Sequence, residues 1–334
     1  MRVYLKYMLK VLFLTLGIIC FSTFPIQSQT CCSGGVPLSG NIGFEGTDKG
    51  VFQLEASYDL NYLATLKNGS DVYNDETRRR ITQSILIKSG YSLNRWLAVD
   101  ALFSYVGQGR SISYQGTTNQ VSTNGIGDAV IITKFILSRL NESGTELQFG
   151  AGPKIPFGKS NMQDDRGITL NADLQPGSGS WDLITWGYFV RQLKRRPTAS
   201  ISARIVNRFN GSNMEYLGSE TYRFGNSFQI YLGGGDQFMV GNRIISASIS
   251  LRYRQARADR INGINLDNTG GQWINIIPSI GWGIGSNSQI QLIPELPLFS
   301  KVEGIQLTPT FRLQVGIYHS FSRKKAIKSK TYQL

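Results

Sequence analysis

Hydrophobic and polar residues alternate with a period of two along residues 51–63. The even positions carry apolar or aromatic side chains from Phe52 to Tyr62, whereas most odd positions are polar, among them Glu55 and Asp59. A period of two places successive side chains on opposite faces of an extended chain. The segment is therefore predicted to be a β-strand with one apolar face and one polar face.

The same pattern recurs along the chain and predicts about twelve strands. Their approximate bounds are 51–63, 81–93, 97–106, 126–137, 146–156, 180–193, 198–209, 221–233, 243–255, 272–284, 289–299 and 305–321. Transmembrane β-barrels are built from alternating segments of roughly this length, in even number. The predicted fold class is all-β, an antiparallel transmembrane β-barrel of about twelve strands.

The connections between the predicted strands alternate in length. Short ones follow the second, sixth and tenth strands, moderate ones follow the fourth and eighth, and long polar ones such as 107–125 and 157–179 follow odd-numbered strands. Outer-membrane barrels have short periplasmic turns and longer external loops. We therefore expect the short turns and both ends of the barrel to face the periplasm.

The first residues have the features of a cleavable export signal. Basic Arg2, Lys6 and Lys10 are followed by an apolar run from Val11 to Cys20. A membrane anchor is the alternative, but the apolar run is short for a span. The expected organisation is a signal peptide (1–28), an N-terminal periplasmic segment (29–50), the barrel (51–321) and a basic periplasmic tail (322–334). The expected location is the outer membrane of a Gram-negative bacterium.

The net charge of +13 is partly carried by the predicted signal and tail, so it overstates the charge of the barrel. A basic tail of this kind could contact anionic lipid headgroups. Nucleic acid is not an expected partner, because the chain has no recognised binding motif and is predicted to be exported. Cys31 and Cys32 form a weak metal site without a nearby histidine, so no metal or other cofactor is expected.

The last predicted strand carries a possible assembly signal. The segment from Gln314 to Phe321 contains Gly316 and alternating bulky residues, and it ends in phenylalanine. It resembles the C-terminal signal that the outer-membrane barrel assembly machinery reads, although His319 stands where an aromatic residue is usual. The expected partners are this machinery, outer-membrane lipid and a small-molecule solute.

Three stretches together resemble a family of outer-membrane transporters named for the meta-pathway of phenol degradation. They are Gly125-Ile-Gly-Asp128 with Lys134-Phe135, Lys154-Ile-Pro-Phe-Gly-Lys159, and Leu174-Gln-Pro-Gly-Ser-Gly-Ser-Trp-Asp182. The resemblance implies a barrel and uptake of a small molecule, without identifying phenol as the cargo. Glycine and proline at strand ends also have an architectural explanation, because they permit bends and close backbone approach.

Charged side chains fall mainly on the polar faces of the predicted strands. An Arg or Lys facing lipid near the bilayer midplane would cost about 2–4 kcal/mol, so the charged faces should line the lumen. The predicted lumen-lining residues are Glu55, Asp59, Lys88, Asp100, Asp128, Lys134, Lys154, Arg204, Arg208, Arg252, Arg254 and Arg312. The orientation of the sixth strand is ambiguous, because aromatic residues lie on both of its faces.

The predicted lumen carries a row of basic side chains facing acidic ones across a narrow space, and two functions fit this arrangement. The charges could form an eyelet that sorts polar or anionic solutes, or a network that closes and stiffens the barrel. The leading expectation is a porin-like outer-membrane channel or transporter for passive passage of a small solute. The alternative is a closed structural or adhesion barrel with functional external loops.

An enzyme is not expected, and no catalytic residue is predicted. Twelve-stranded outer-membrane phospholipases are the rival class, but their local His-Asp-Ser-Asn-Gly-type motif is absent. His319 is the only histidine, and no pattern places a serine and an acid around it. Asp164 and Asp165 could hold Ca²⁺ or be solvated loop charges.

Overall fold

The computed structural model describes residues 43, 44, 46 and 48–322. The predicted signal peptide, the Cys31–Cys32 pair and the basic residues of the tail lie outside the described residues. Among those that are described, no helix has the length and apolar character needed to cross a membrane. The secondary structure is almost entirely β, with one short helix, α1 (Leu140–Ser143), and one 3₁₀ turn (Ala172–Leu174).

Eighteen strands occur among the described residues. They are β1 (Phe52–Asn68), β2 (Asp71–Tyr73), β3 (Arg78–Ser92), β4 (Leu97–Tyr114), β5 (Thr117–Ile126), β6 (Ala129–Ser138), β7 (Thr145–Ile155), β8 (Asp182–Leu193), β9 (Arg196–Phe209), β10 (Asn213–Tyr216), β11 (Glu220–Arg223), β12 (Ser227–Val240), β13 (Arg243–Ala256), β14 (Arg260–Ile261), β15 (Ile264–Asn265), β16 (Gly271–Gly283), β17 (Ser288–Val302) and β18 (Ile305–Phe321).

Twelve of these strands form a closed antiparallel barrel. Their order around the barrel is β1, β3, β4, β6, β7, β8, β9, β12, β13, β16, β17 and β18, and β18 pairs back onto β1. The closing seam runs from Phe52 opposite Phe321 to Asn68 opposite Ile305. Closure leaves no unpaired sheet edge, as a lipid environment requires. The predicted fold class is thereby confirmed.

The two faces of the barrel differ in polarity. Large apolar side chains are exposed on the outside, including Ile85, Phe103, Phe135, Phe149, Leu183, Ile205, Ile249 and Ile317. An exterior of this kind is stable when lipid covers it. The protein is therefore an outer-membrane β-barrel, and we call the end with the long connections the external end.

The connection predicted at 107–125 is a β-hairpin rather than a loop. β4 continues to Tyr114 and pairs with β5, with Ile112 opposite Asn119. The turn residues Gln115 and Gly116 both have positive φ, 47° and 80°, as a two-residue type I′ turn requires. Residues 107–125 carry few apolar side chains and show no amphipathic alternation, so the sequence pattern did not predict these strands.

The strand predicted at 221–233 is also wrong in its bounds. Residues 220–223 form β11, whereas the barrel strand β12 begins at Ser227 and continues to Val240. Consequently the moderate connection expected before β13 is a two-residue turn. The run Gly233-Gly-Gly235 conceals the continuation of β12, because glycine contributes no hydrophobic alternation.

A small sheet lies over part of the external end, and we call it the cap. It consists of β10, β11, β14 and β15. Tyr216, Tyr222 and Phe224 form its aromatic core together with Ala172 from the 3₁₀ turn. The Tyr222 hydroxyl donates a hydrogen bond of 2.6 Å to the Asp259 carboxylate. The cap thus connects three long external connections to one another.

Candidate functional site

All twelve predicted lumen residues lie on inward-facing positions. Arg204 and Arg312 are half-buried, and the others are buried. Eight of the twelve form direct ion pairs with each other. These pairs are Lys88–Glu55, Lys134–Asp100 and Lys154–Asp128, each at 2.8 Å, and Arg312–Asp59 at 2.9 Å. The interior is therefore a network of opposite charges rather than an uncompensated basic surface.

The other four predicted residues are arginines with different surroundings. Arg208 pairs with Asp182 at 2.8 Å, and Arg252 pairs with Glu295. The Arg254 guanidinium lies 4.8 Å from the centre of the Trp273 ring. Arg204 instead lies between two tyrosine rings, without an ion pair to a described residue.

A cluster of buried charges lies at the external end of the lumen, and we call it the external cluster. Its members are Asp128, Lys154, Ser178, Asp182 and Arg208. The Lys154 ammonium lies 2.8 Å from Asp128 and 3.0 Å from Asp182, and all three side chains have no solvent-exposed surface. The backbone N–H and the hydroxyl of Ser178 both donate to Asp128, at 3.1 and 2.6 Å. This arrangement compensates the desolvation of each charge.

The external cluster joins the three stretches that carry the family resemblance. Asp128 belongs to the first stretch, Lys154 to the second, and Asp182 to the third. The backbones of Gly158 and Gly177 also meet there, since a Cβ atom on Gly158 would lie 2.5 Å from the Gly177 Cα. The motif residues therefore hold the connection between β7 and β8 against the barrel.

That connection, residues 156–181, extends over the lumen, and we call it the plug loop. Arg80 of β3 pairs with Asp173, and the Gln108 side chain donates to the Gln175 carbonyl at 3.0 Å. Leu174 has no exposed surface. The plug loop is thus bound to β3 and β4, which lie three and two strands away from β7 around the barrel, and it closes much of the external end.

Phe44 lies inside the barrel, near its periplasmic end. Of the predicted periplasmic segment 29–50, the structure describes only residues 43, 44, 46 and 48–50. Phe44 is buried, its N–H donates to Asp100 at 2.9 Å, and its carbonyl accepts from Lys134 at 2.7 Å. The Lys88 ammonium lies 4.2 Å from the centre of the Phe44 ring. Charged groups of the lumen therefore hold Phe44 in place.

A cavity of about 530 Å³ occupies the periplasmic half of the barrel, and we call it the periplasmic cavity. Polar residues near the periplasmic ends of the strands form its rim, namely Gln192, Thr198, Gln237, Ser246 and Gln289. Asp59, Glu295 and Arg312 line its inner end. The plug loop and the external cluster lie beyond that inner end, so the cavity does not continue as an open pore.

One wall of the periplasmic cavity is apolar and aromatic. Trp186 and Tyr188 of β8 are stacked, with ring centroids 5.8 Å apart and an interplanar angle of 19°. Ile277 and Tyr231 belong to the same buried cluster, and Ile293 packs against it. The cavity therefore combines a polar rim with an apolar wall, as small-molecule sites commonly do.

Several of these residues could not be found by sequence reasoning. The sixth predicted strand, whose orientation the sequence left ambiguous, corresponds to β8. In the structure Asp182, Trp186 and Tyr188 face inward, and Trp181 is exposed. When bulky residues lie on both faces of a strand, the sequence does not show which face points into the lumen. Asp182 was therefore not predicted. Glu295 was missed because prolines at 294 and 297 interrupt the pattern around it.

His319 lies on the outer face near the periplasmic end of β18. Its Nδ1 atom is 2.6 Å from the Ser288 hydroxyl on β17, and its ring contacts Phe321 at 4.2 Å. The hydrogen bonds of the described residues give His319 no carboxylate partner. The pair is therefore not a Ser–His–acid triad.

Asp164, the first residue of the acidic pair in the plug loop, accepts hydrogen bonds within its own turn. The Asp164 carboxylate accepts hydrogen bonds from the backbone N–H groups of Ile168 and Arg166, both at 2.9 Å. The bond from Ile168 makes the largest contribution to lowering the pKa of Asp164. Within the described residues, no group of three His, Cys, Asp or Glu side chains could hold a metal ion.

Comparisons with known proteins show the fold. No protein-family model matches the chain, and no curated protein matches it. The structure is similar to the COG4313 outer membrane channel from Pseudomonas putida F1, with a TM-score of 0.68 and 17% identity. The similarity covers 85% of this chain and 100% of that one. At this identity the likeness concerns the barrel architecture alone.

Two further structures show lower similarity. The transport unit of the autotransporter AIDA-I from Escherichia coli has a TM-score of 0.47 and 10% identity, covering 84% of this chain and 93% of that one. A Pseudomonas aeruginosa FadL homologue has a TM-score of 0.42 and 10% identity, covering 89% and 98%. These scores are too low to support an inference, so the functional argument rests on the geometry of the lumen.

Proposed function

We propose that this protein is an outer-membrane channel that admits a small solute through the barrel lumen by passive passage. The observation that carries the proposal is the periplasmic cavity of about 530 Å³. It lies inside a closed barrel, and it has the size and mixed lining of a small-molecule site. A barrel with a purely structural role has no need of such a cavity.

Passage requires the plug loop to move. The external cluster and the Arg80–Asp173 pair hold the loop over the external end, and the loop can leave only if these contacts break. Loops are the segments that most often change position in proteins. The proposed channel is therefore narrow and gated, unlike a general diffusion pore.

The proposed partners are outer-membrane lipid, the barrel assembly machinery and the solute. The exposed apolar exterior supports the first. Phe321 supports the second, because it ends the last strand with its side chain exposed at the periplasmic end. The family resemblance of the three motif stretches supports a solute as cargo.

Efflux from proteoliposomes tests the proposal. The refolded protein would be reconstituted around a trapped small sugar, and the release rate would be compared with that of protein-free vesicles. Asp128→Asn removes a charge that binds the plug loop and is expected to accelerate release. Asp165→Asn makes the same change at an exposed position of the same loop and should leave the rate unchanged.

A closed structural or adhesion barrel is the second candidate, and the fully buried external cluster favours it. In that case neither the wild type nor Asp128→Asn would release the sugar, although both would be folded. Heat-modifiable electrophoretic mobility would establish folding in each preparation. Absence of release from folded protein would therefore reject the channel.

A further inference from the structure

The acidic residues around the inner end of the periplasmic cavity are all matched by cations. Glu55 pairs with Lys88, and both oxygens of Asp59 accept from Arg312, at 2.9 and 3.0 Å. Glu295 accepts from Arg252 and from the Asn275 side chain. A cation that enters the cavity would therefore have to displace an existing partner from each carboxylate.

Arg204 lines the same cavity and has a different environment. Its guanidinium forms no ion pair or hydrogen bond with a described residue, and its Nε atom is buried without a hydrogen-bond partner. A buried donor without a partner is energetically unfavourable. Arg204 thus contributes a positive charge and unused hydrogen-bond donors to the cavity.

The register of the sheet explains why this charge is tolerated. Arg204 of β9 lies directly opposite Tyr188 of β8 and Tyr231 of β12. The guanidinium carbon is 5.4 Å from the centre of the Tyr188 ring and 5.8 Å from that of Tyr231. Cation–π contacts hold the guanidinium in place without using its N–H groups. The planar fork remains available to a carboxylate, which it can bind through two parallel hydrogen bonds.

Apolar surface adjoins this fork. Trp186 stacks on Tyr188, and Ile277 and Ile293 belong to or pack against the same cluster. Flat aromatic and branched aliphatic side chains favour a ligand with a flat apolar body. The volume of about 530 Å³ accommodates a small organic molecule and lies within the usual range for such sites.

We infer that the periplasmic cavity binds a small organic anion, with its carboxylate on Arg204 and its apolar body against Trp186 and Tyr188. This inference rests on the proposed channel function and names the chemical class of the solute. It assigns selectivity to Arg204 rather than to Arg252 or Arg254, because neither of those two arginines lines the periplasmic cavity.

Isothermal titration of the refolded full barrel in detergent tests the inference. The probes are benzoate, its neutral analogue benzyl alcohol, and acetate, which has the charge without the apolar body. Benzoate is expected to bind about tenfold or more tightly than benzyl alcohol, the factor for one charged hydrogen bond. It should also bind more tightly than acetate, because acetate lacks the apolar body that packs against the aromatic wall. Arg204→Gln should weaken benzoate binding by a similar factor.

Arg195→Gln is the matched control, because it removes the same charge from an exposed periplasmic turn outside the cavity. Benzoate affinity should be unchanged in that variant. Equal affinity of the wild type for benzoate and benzyl alcohol would overturn the inference without the use of any variant. Unchanged affinity in folded Arg204→Gln would also overturn it. Sugar efflux tests the channel function separately. If the barrel releases sugar but does not bind benzoate, the anion site is rejected and the channel function stands.

Discussion

The Lys154 ammonium lies 2.8 Å from the Asp128 carboxylate, in a contact that has no exposed surface. The two residues lie 26 positions apart in the sequence and belong to different motif stretches. Asp182 of a third stretch lies 3.0 Å from the same ammonium. The contact fixes the plug loop at the point where three barrel strands reach the external end.

Replacement of Lys154 by methionine is expected to destabilise the barrel strongly. The variant leaves Asp128 and Asp182 buried with one cationic partner fewer. Removing one member of a buried ion pair costs about 3–5 kcal/mol. The free energy of unfolding in urea measures the loss, with Lys159→Met as control because Lys159 is exposed in the same connection. A loss as small in Lys154→Met as in the control would contradict the structural role.

Strand positions could be predicted from the sequence, because lipid-facing side chains must be apolar and lumen-facing side chains are polar or charged. The two kinds therefore alternate with a period of two along each strand. Asp128 and Lys154 were found in this way, since their neighbours reveal the phase. Asp182 could not be found, because its strand has aromatic residues on both faces. The path of the plug loop and the insertion of Phe44 depend on tertiary contacts with Arg80 and Lys134, and local sequence patterns do not encode such contacts.

The close approach of Gly158 and Gly177 predicts a second effect on the plug loop. In Gly158→Ala the new Cβ would lie 2.5 Å from the Gly177 Cα and 2.8 Å from the Ile126 carbonyl oxygen, so the backbone must shift. Overpacking of this kind costs about 1–3 kcal/mol. Trypsin cleavage after Arg166, which is exposed within the loop, should become faster.

Gly109→Ala is the control for this experiment, because no atom lies within 4 Å of its Cβ position. Its cleavage rate should match that of the wild type. Equal rates for Gly158→Ala and Gly109→Ala would show that the glycine contact does not hold the loop.

Phe44→Ala is expected to widen the lumen while leaving the N-terminal segment in place. The substitution removes the ring but preserves the backbone hydrogen bonds to Asp100 and Lys134. We expect a loss of about 3 kcal/mol in the free energy of unfolding and a faster release of trapped sugar. Phe157→Ala, at an exposed position, should change neither quantity. A stability equal to that of the control would indicate that Phe44 does not pack inside the barrel.

The cap should loosen at alkaline pH. Burial, reinforced by the Asp259 carboxylate, raises the pKa of Tyr222 above its usual value near 10. Above about pH 10 the phenol would ionise more readily in the opened cap than in the closed one. The closed form therefore loses stability as the pH rises, whereas below that value this group adds no pH dependence.

Proteolysis of residues 210–226 between pH 8 and 11 would measure this effect. Tyr222→Phe should show weaker alkaline acceleration than the wild type, because it lacks the ionisable group. Tyr73→Phe, at an exposed position outside the cap, should behave as the wild type does. An identical pH profile for Tyr222→Phe and the wild type would assign the alkaline effect to other groups.

Single-channel recording in a planar bilayer tests most directly whether the lumen is a gated passage. The wild type should give small, intermittent conductance steps, and Asp128→Asn should increase the fraction of time spent open because it weakens the attachment of the plug loop. Asp165→Asn should match the wild type. Folded wild-type and Asp128→Asn barrels that both remain silent would contradict the channel and identify the external cluster as a permanent closure.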